Sequence, residues 1–155
     1  MALSFGIEDG SGFVRGIYVH SDGIAEHGGY TVVRHYRTRD LVESLIALGD
    51  LSWVGKCVGE KVDFNTEHAA MVYAVPSQCL AYVRDRGEEW EHNRPAVFRD
   101  RDEFATGCWG GVTARYLFAY QPEQWLVFMR SGWVCARVPR ERALPTGSPR
   151  KPRDR

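Results

Sequence analysis

The stretch that most narrows the folds open to this chain is DLVESLIALG, residues 40–49. Leu41, Val42, Leu45, Ile46 and Leu48 recur at helical spacing and make one apolar face. Asp40 stands where a helix N-cap is expected, and Glu43 three residues later completes a capping box. Gly49 follows the last turn and can take the left-handed conformation that ends a helix, with Leu51 folding back on the helix end. A one-faced helix needs a partner layer, and the residues before it supply β-rich sequence. Residues 13–20, with Val14, Ile17, Tyr18 and Val19, read as a strand. Asp22-Gly23 and Gly28-Gly29 then break the chain, and residues 30–37, YTVVRHYR, read as a second strand. Pairing of these two strands across the 21–29 loop would put His20 near Tyr30 and Arg15 near His35. The two histidines then fall at opposite ends of a ribbon, which argues against a shared metal site. Phe13–Gly49 thus reads as strand, loop, strand, capped helix.

The remainder supports a mostly antiparallel sheet. Residues 1–12 are Gly-rich and polar after Phe5, which suggests an edge segment or a loose arm. Residues 51–59 hold a short strand interrupted by Gly55 and Gly59. Residues 60–78 are compatible with a helical turn ending at Pro76 or with a loop feeding a strand. CLAYVR, residues 79–84, reads as a buried strand. Residues 90–99 form a connector with a β-like Ala96-Val97-Phe98. Asp100 caps a short helix to about residue 106, with Glu103 at its third position. Residues 112–120, 124–130 and 133–138 then make a three-stranded meander. The expected fold class is α+β: one antiparallel-rich sheet, a main helix at about 40–48 and a shorter one at about 100–106.

At 155 residues the chain fits one domain, whose core can form without disulfides. Apolar content of 44% and charged content of 26% are ordinary for a globular protein. No apolar run is long enough to span a bilayer, and MALSFGIEDG lacks the basic start and apolar core of a secretory leader. No membrane association and a cytoplasmic location are therefore expected. Cys57, Cys79, Cys108 and Cys135 make no C-x-x-C pair, so zinc-knuckle and redox patterns are absent, and buried thiols are expected. The formal charge is zero but uneven: residues 137–155 carry seven cations and two anions, net +5, while residues 1–136 are net −5. The globular unit is expected over 1–138. Residues 139–155, with four prolines and almost nothing apolar, read as a disordered basic tail. Such a tail offers nucleic acid an electrostatic hook, or merely solvates the chain end.

Three places carry candidate chemistry. His20, Asp22 and Gly23 put an imidazole and a carboxylate at a strand exit, as a general base or ligand would require. The plain alternative is a turn beside an edge histidine. Arg84, Asp85, Arg86, Gly87 and Glu88 form a dense charged exit from the 79–84 strand. Its two arginines and the Gly87 amide could hold a phosphate, or the cluster could neutralise itself at a sheet rim. Trp109 lies in GCWGG, where its ring could stack on a base or simply cover the sheet edge. Trp125 and Trp133 are placed in core strands. Phosphate-loop, dinucleotide, H-E-x-x-H and G-x-S-x-G patterns are all missing, and no cofactor or metal is expected.

Three segments taken in order, YVHSDG at 18–23, LIALGDLS at 45–52 and YVRDRGE at 82–88, followed by an aromatic meander, resemble a family of small uncharacterised proteins from phages, plasmids and actinobacterial genomes. The likeness spans roughly residues 14–134. The family pattern reads His-Trp-Asp-Gly-Tyr-Pro at the first segment, where this chain has His20-Ser21-Asp22-Gly23-Ile24-Ala25. The resemblance implies an accessory protein in the host cytoplasm that binds a host protein or a small phosphorylated, nucleotide-like signal, and it raises the prospect of antagonism to host defence. Two rival expectations stand beside it. One is a hydrolase of a nucleotide or phosphoester using His20 and Asp22. The other is a nucleic-acid-binding protein using the 139–155 tail.

Overall fold

The computed structural model describes residues 2–20, 25–62, 78–107 and 109–138. Element order is β1 (Ala2–Glu8), β2 (Val14–His20), α1 (Ala25–His35), α2 (Arg39–Ile46), β3 (Leu51–Trp53), β4 (Leu80–Ala81), α3 (Trp90–Asn93), β5 (Ala96–Phe98), α4 (Arg101–Ala105), β6 (Val112–Phe118), β7 (Trp125–Met129) and β8 (Gly132–Cys135). One sheet runs in the order β4-β3-β2-β1-β6-β7-β8, with β5 also paired to β2. Five strand pairings are antiparallel; β1–β6 and β2–β3 are parallel. The α+β class is as the sequence indicates, and helices stand at both expected places, Arg39–Ile46 and Arg101–Ala105, although α1 is the longest of the four among the described residues. Among the described residues no helix is long and apolar enough to cross a membrane.

The N-terminal segment is the centre of the sheet and not an edge or arm. Every residue of β1 is buried, between β2 on one side and β6 on the other. Leu3, Phe5 and Ile7 enter the larger core with residues of α1 and α2. The alternate residues face the opposite layer, where polarity and glycine have structural uses. Gly6 and Gly16 are cross-strand partners, and the ring of Phe104 from α4 covers both. Glu8 is tied to Arg101 (Nη2 to Oε1, 2.7 Å) and accepts the Tyr120 N–H at 3.1 Å. Val14, Phe98, Phe104, Leu117, Ala119 and Leu126 form this second core.

Residues 30–37 are the clearest correction. Residues 30–35 continue the α1 helix and none of 30–37 pairs with β2, so the His20–Tyr30 and Arg15–His35 pairings do not occur. Gly28, Gly29, Val32 and Tyr36 follow helical spacing, and this face lies on the sheet. A β-carbon on Gly28 would strike Leu3, and one on Gly29 would strike Tyr116. Glycines that resemble chain breaks are therefore the close-packing surface of α1. Arg34 complements the partial negative charge of its C-terminal turn. Burial, with Lys56, Arg34 and Arg37 nearby, pushes the His35 pKa down.

α2 begins earlier than the Asp40 cap implies. The Thr38 hydroxyl caps it, accepting the Leu41 N–H at 3.3 Å. Glu43 does not close a capping box; it binds Arg15 of β2 at 2.6 and 2.7 Å. The buried face is Val42, Leu45 and Ile46, while Leu41 is 45% exposed. Gly49 does take a positive φ of 75°, against the Asn93 carbonyl.

Three further expectations change. The 79–84 strand shortens to Leu80–Ala81 and turns away at Tyr82. The 90–99 connector holds the short helix α3 before β5. Of the cysteines, Cys79 is buried, but Cys57 and Cys135 are exposed, Cys135 because it sits on the terminal strand. Cys108, residues 63–77 and the 139–155 tail lie outside the described residues.

Candidate functional site

His20 is the last residue of β2 and is half-buried. Asp22 and Gly23 lie outside the described residues. Among the described residues, no group of three His, Cys, Asp or Glu side chains is placed to hold a metal ion.

The Arg84–Glu88 turn is built around a buried carboxylate. Asp85 accepts the Ala81 N–H at 2.7 Å and the Val62 N–H at 2.9 Å. Arg84 lies along it, with Nε 3.1 Å from Oδ1. The same guanidinium donates to the carbonyls of Cys79 at 3.0 Å and Gly59 at 3.2 Å. Arg84 is thereby engaged with the protein's own acceptors. Arg86 lies over the Tyr82 ring at 5.2 Å. Gly87 supplies the positive φ of 72° that the turn needs, and the Glu88 N–H donates to the Tyr82 carbonyl at 2.9 Å.

The register sets Val19 beside Leu51 and Leu51 beside Ala81, so the ends of β2 and β4 are level with each other. β3 is parallel to β2 and antiparallel to β4, so the chain leaves β2 at His20 and β4 at Ala81 in opposite directions. The turn folds back toward Asp50, whose carbonyl accepts the Tyr82 N–H at 3.2 Å. Asp50 itself is half-buried and holds the Tyr18 N–H on Oδ1 at 2.9 Å; burial raises its pKa to about 6. Trp109 packs edge-on against Phe98 at 5.6 Å, within the second core.

The surface least explained by folding is the β7–β8 hairpin. β8 ends the sheet, so one of its edges has no partner strand among the described residues. Phe128 is 39% exposed, Met129 53% and Val134 38%, on a strand pair whose two faces are both apolar. Trp133, opposite Phe128 in the ladder, stacks on Phe104 at 5.9 Å and holds one face rigid. Trp125 is a core residue, as its strand position indicates; Trp133 is only half-buried. Residues 124–138 include Arg130 and Arg137 but no Asp or Glu. Both arginines are exposed, and neither has an ion-pair partner among the described residues.

A cleft of about 270 Å³ opens beside the end of β8, between Val33 and Arg37 on one side and Trp125, Cys135 and Ala136 on the other. Arg39 lies behind two of its lining residues, Glu123 and Phe118. The Arg39 side chain donates to the Glu8 carbonyl at 3.0 Å and the Ala119 carbonyl at 3.3 Å, and lies over the Tyr120 ring at 5.1 Å. Its Nε stands 3.4 Å from Glu123. This edge escapes a reading by periodicity, because alternating apolar residues in a meander look like core. The available signal was the pair of unopposed arginines bracketing them.

Comparison with protein-family models, with curated proteins and with solved structures finds no match to this chain.

Proposed function

We propose that the protein is a non-catalytic binding domain for another protein, with the β7–β8 edge as its recognition surface. The observation that carries this reading is the rigidly backed, exposed apolar hairpin at the open end of the sheet. Phe128 is exposed on one face of the hairpin and Met129 and Val134 on the other, so apolar side chains flank the edge on both sides. An unprotected strand edge is a standing invitation to pairing, which proteins ordinarily blunt with charge, proline or cover. β8 carries no charged residue and no proline. The resemblance to phage and plasmid proteins would make the partner a host protein.

Anion capture by Arg84, Arg86, Gly87 and His20 draws less support, because Arg84 is committed to Asp85 and to two carbonyls. The test is selection of a displayed library of protein fragments on the wild-type chain and on the triple variant Phe128→Ser, Met129→Ser, Val134→Ser. Fragments enriched only on the wild type are expected. Equal recovery on both proteins would remove the hairpin as the recognition surface.

A further inference from the structure

The backbone of β8 specifies how a partner can attach. The Ala136 N–H donates to the Trp125 carbonyl at 2.9 Å. Hydrogen-bonded pairs alternate along an antiparallel ladder. The pairs Val134–Val127 and Gly132–Met129 therefore carry the remaining bonds to β7, and the N–H and C=O groups of Trp133 and Cys135 point outward. Beside those outward groups lie Phe128 and Trp133 on one face and Val134 on the other. Arg130 precedes the strand and Arg137 follows it, both exposed.

We propose that β8 accepts an extended, acid-flanked segment of the partner as an added strand, with one carboxylate meeting Arg130 and another meeting Arg137. This rests on reading the hairpin as the recognition surface. Main-chain bonds to Trp133 and Cys135 supply register, and alternate side chains supply specificity. At a rise of about 3.3 Å per residue, the two carboxylates stand about six residues apart in the partner. The cleft beside Cys135 and Ala136 receives one apolar side chain from the end of that segment.

Charge selects this occupant over the others. A second copy paired antiparallel through the outward groups, with Trp133 opposite Cys135, sets each Arg130 within one residue of the other's Arg137, which is repulsive. The chain's own 138–155 segment is net +4 and meets the same arginines with the same sign. A nucleic acid satisfies the arginines, but its phosphates leave the outward carbonyls of Trp133 and Cys135 without donors.

The probe is the labelled, end-blocked heptapeptide EVTVTVE, titrated with the full chain by fluorescence anisotropy. It should bind, and KVTVTVK should bind at least about ten-fold more weakly. Arg130→Glu with Arg137→Glu should invert that preference. Cys135→Pro removes one outward N–H without removing a bond to β7, so it should abolish binding while Cys135→Ser retains it. N-methylation of the peptide's central residues makes the same test on the wild-type chain, whatever Cys135→Pro does to folding.

Loss of binding in the arginine variant, with no effect of Cys135→Pro or N-methylation, overturns strand addition and leaves the surface standing. Unchanged binding in every variant overturns both. Absence of EVTVTVE binding at millimolar concentration overturns strand addition, and the fragment selection then decides the surface by itself.

Discussion

The ring of Phe104 occupies the place where a side chain on Gly16 would stand: a β-carbon there would lie 2.7 Å from the ring. Gly6, the cross-strand partner of Gly16, meets the same ring at 2.9 Å. Two glycines on adjacent central strands thus form the seat that brings α4 down onto the sheet. Overpacking a well-filled core costs about 1–3 kcal/mol. Gly16→Ala should therefore lower stability by about that much in denaturant unfolding. Adding Phe104→Leu to Gly16→Ala should cost less than the sum of the two single changes, because both act on one contact. Strict additivity would show that the seat is not what holds α4.

Gly29 tests the helical reading of 25–35. In an exposed helix Gly→Ala is stabilising by about 1 kcal/mol. Here the added carbon meets the Tyr116 side chain on β6. Gly29→Ala should consequently destabilise the protein by about 1–3 kcal/mol, opposite in sign to the propensity effect. A gain in melting temperature would mean that α1 does not lie against β6.

Asp85 is expected to be structural. Asp85→Ala strands the Ala81 and Val62 N–H groups and leaves Arg84 without its carboxylate. Breaking a buried pair of this kind costs about 3–5 kcal/mol. Arg86→Ala removes a contact with the Tyr82 ring, which is worth about 0.5–1 kcal/mol at an exposed site. Chemical denaturation of the two variants reads the difference. Similar losses would restore Arg86 to equal standing with Asp85 in the turn.

Asp50 and Glu8 should pull the pH dependence of stability in opposite directions. The folded Asp50 pKa is raised to about 6, so the native state holds a proton that the unfolded chain gives up. Its contribution is fully present below the unfolded carboxylate range and is lost as pH rises to and past about 6. Asp50→Asn keeps an oxygen acceptor for the Tyr18 N–H and should stabilise the protein at pH 7.5 by about 1–2 kcal/mol, with little effect at pH 4. Glu8 is lowered by the hydrogen bond from Arg101, which outweighs its burial. Its contribution is present above the unfolded carboxylate range and is lost as pH falls through the folded value. Glu8→Gln should flatten the acid limb of a stability-versus-pH curve. Unaltered curves for both variants would contradict these assignments.

Much of the local structure was legible in the chain itself. The α2 stripe with Gly49, the strand at 14–20, the Asp100 cap accepting the Glu103 N–H at 2.8 Å, and the 112–135 meander all follow from patterns complete within a few residues. The candidate chemistry was less legible. The density of charge at 84–88 was plain, but spacing alone does not tell whether Arg84 faces solvent or its own backbone carbonyls.

Sequence by itself determined the elements whose signals are local: helix periodicity, caps, turn glycines and alternating strands. Tertiary structure decided what depends on who lies opposite. β1 became the central strand because α1, α2 and α4 cover it on both faces, which makes Ser4, Gly6 and Glu8 buried despite their polarity or lack of side chain. The β-branched run of α1 became helical because Gly28 and Gly29 let it lie close against Leu3 and Tyr116. The β7–β8 pattern, identical in kind to a core pattern, became an exposed edge because no ninth strand pairs with β8 among the described residues. Burial is a property of neighbours distant in sequence, and no window of residues contains it.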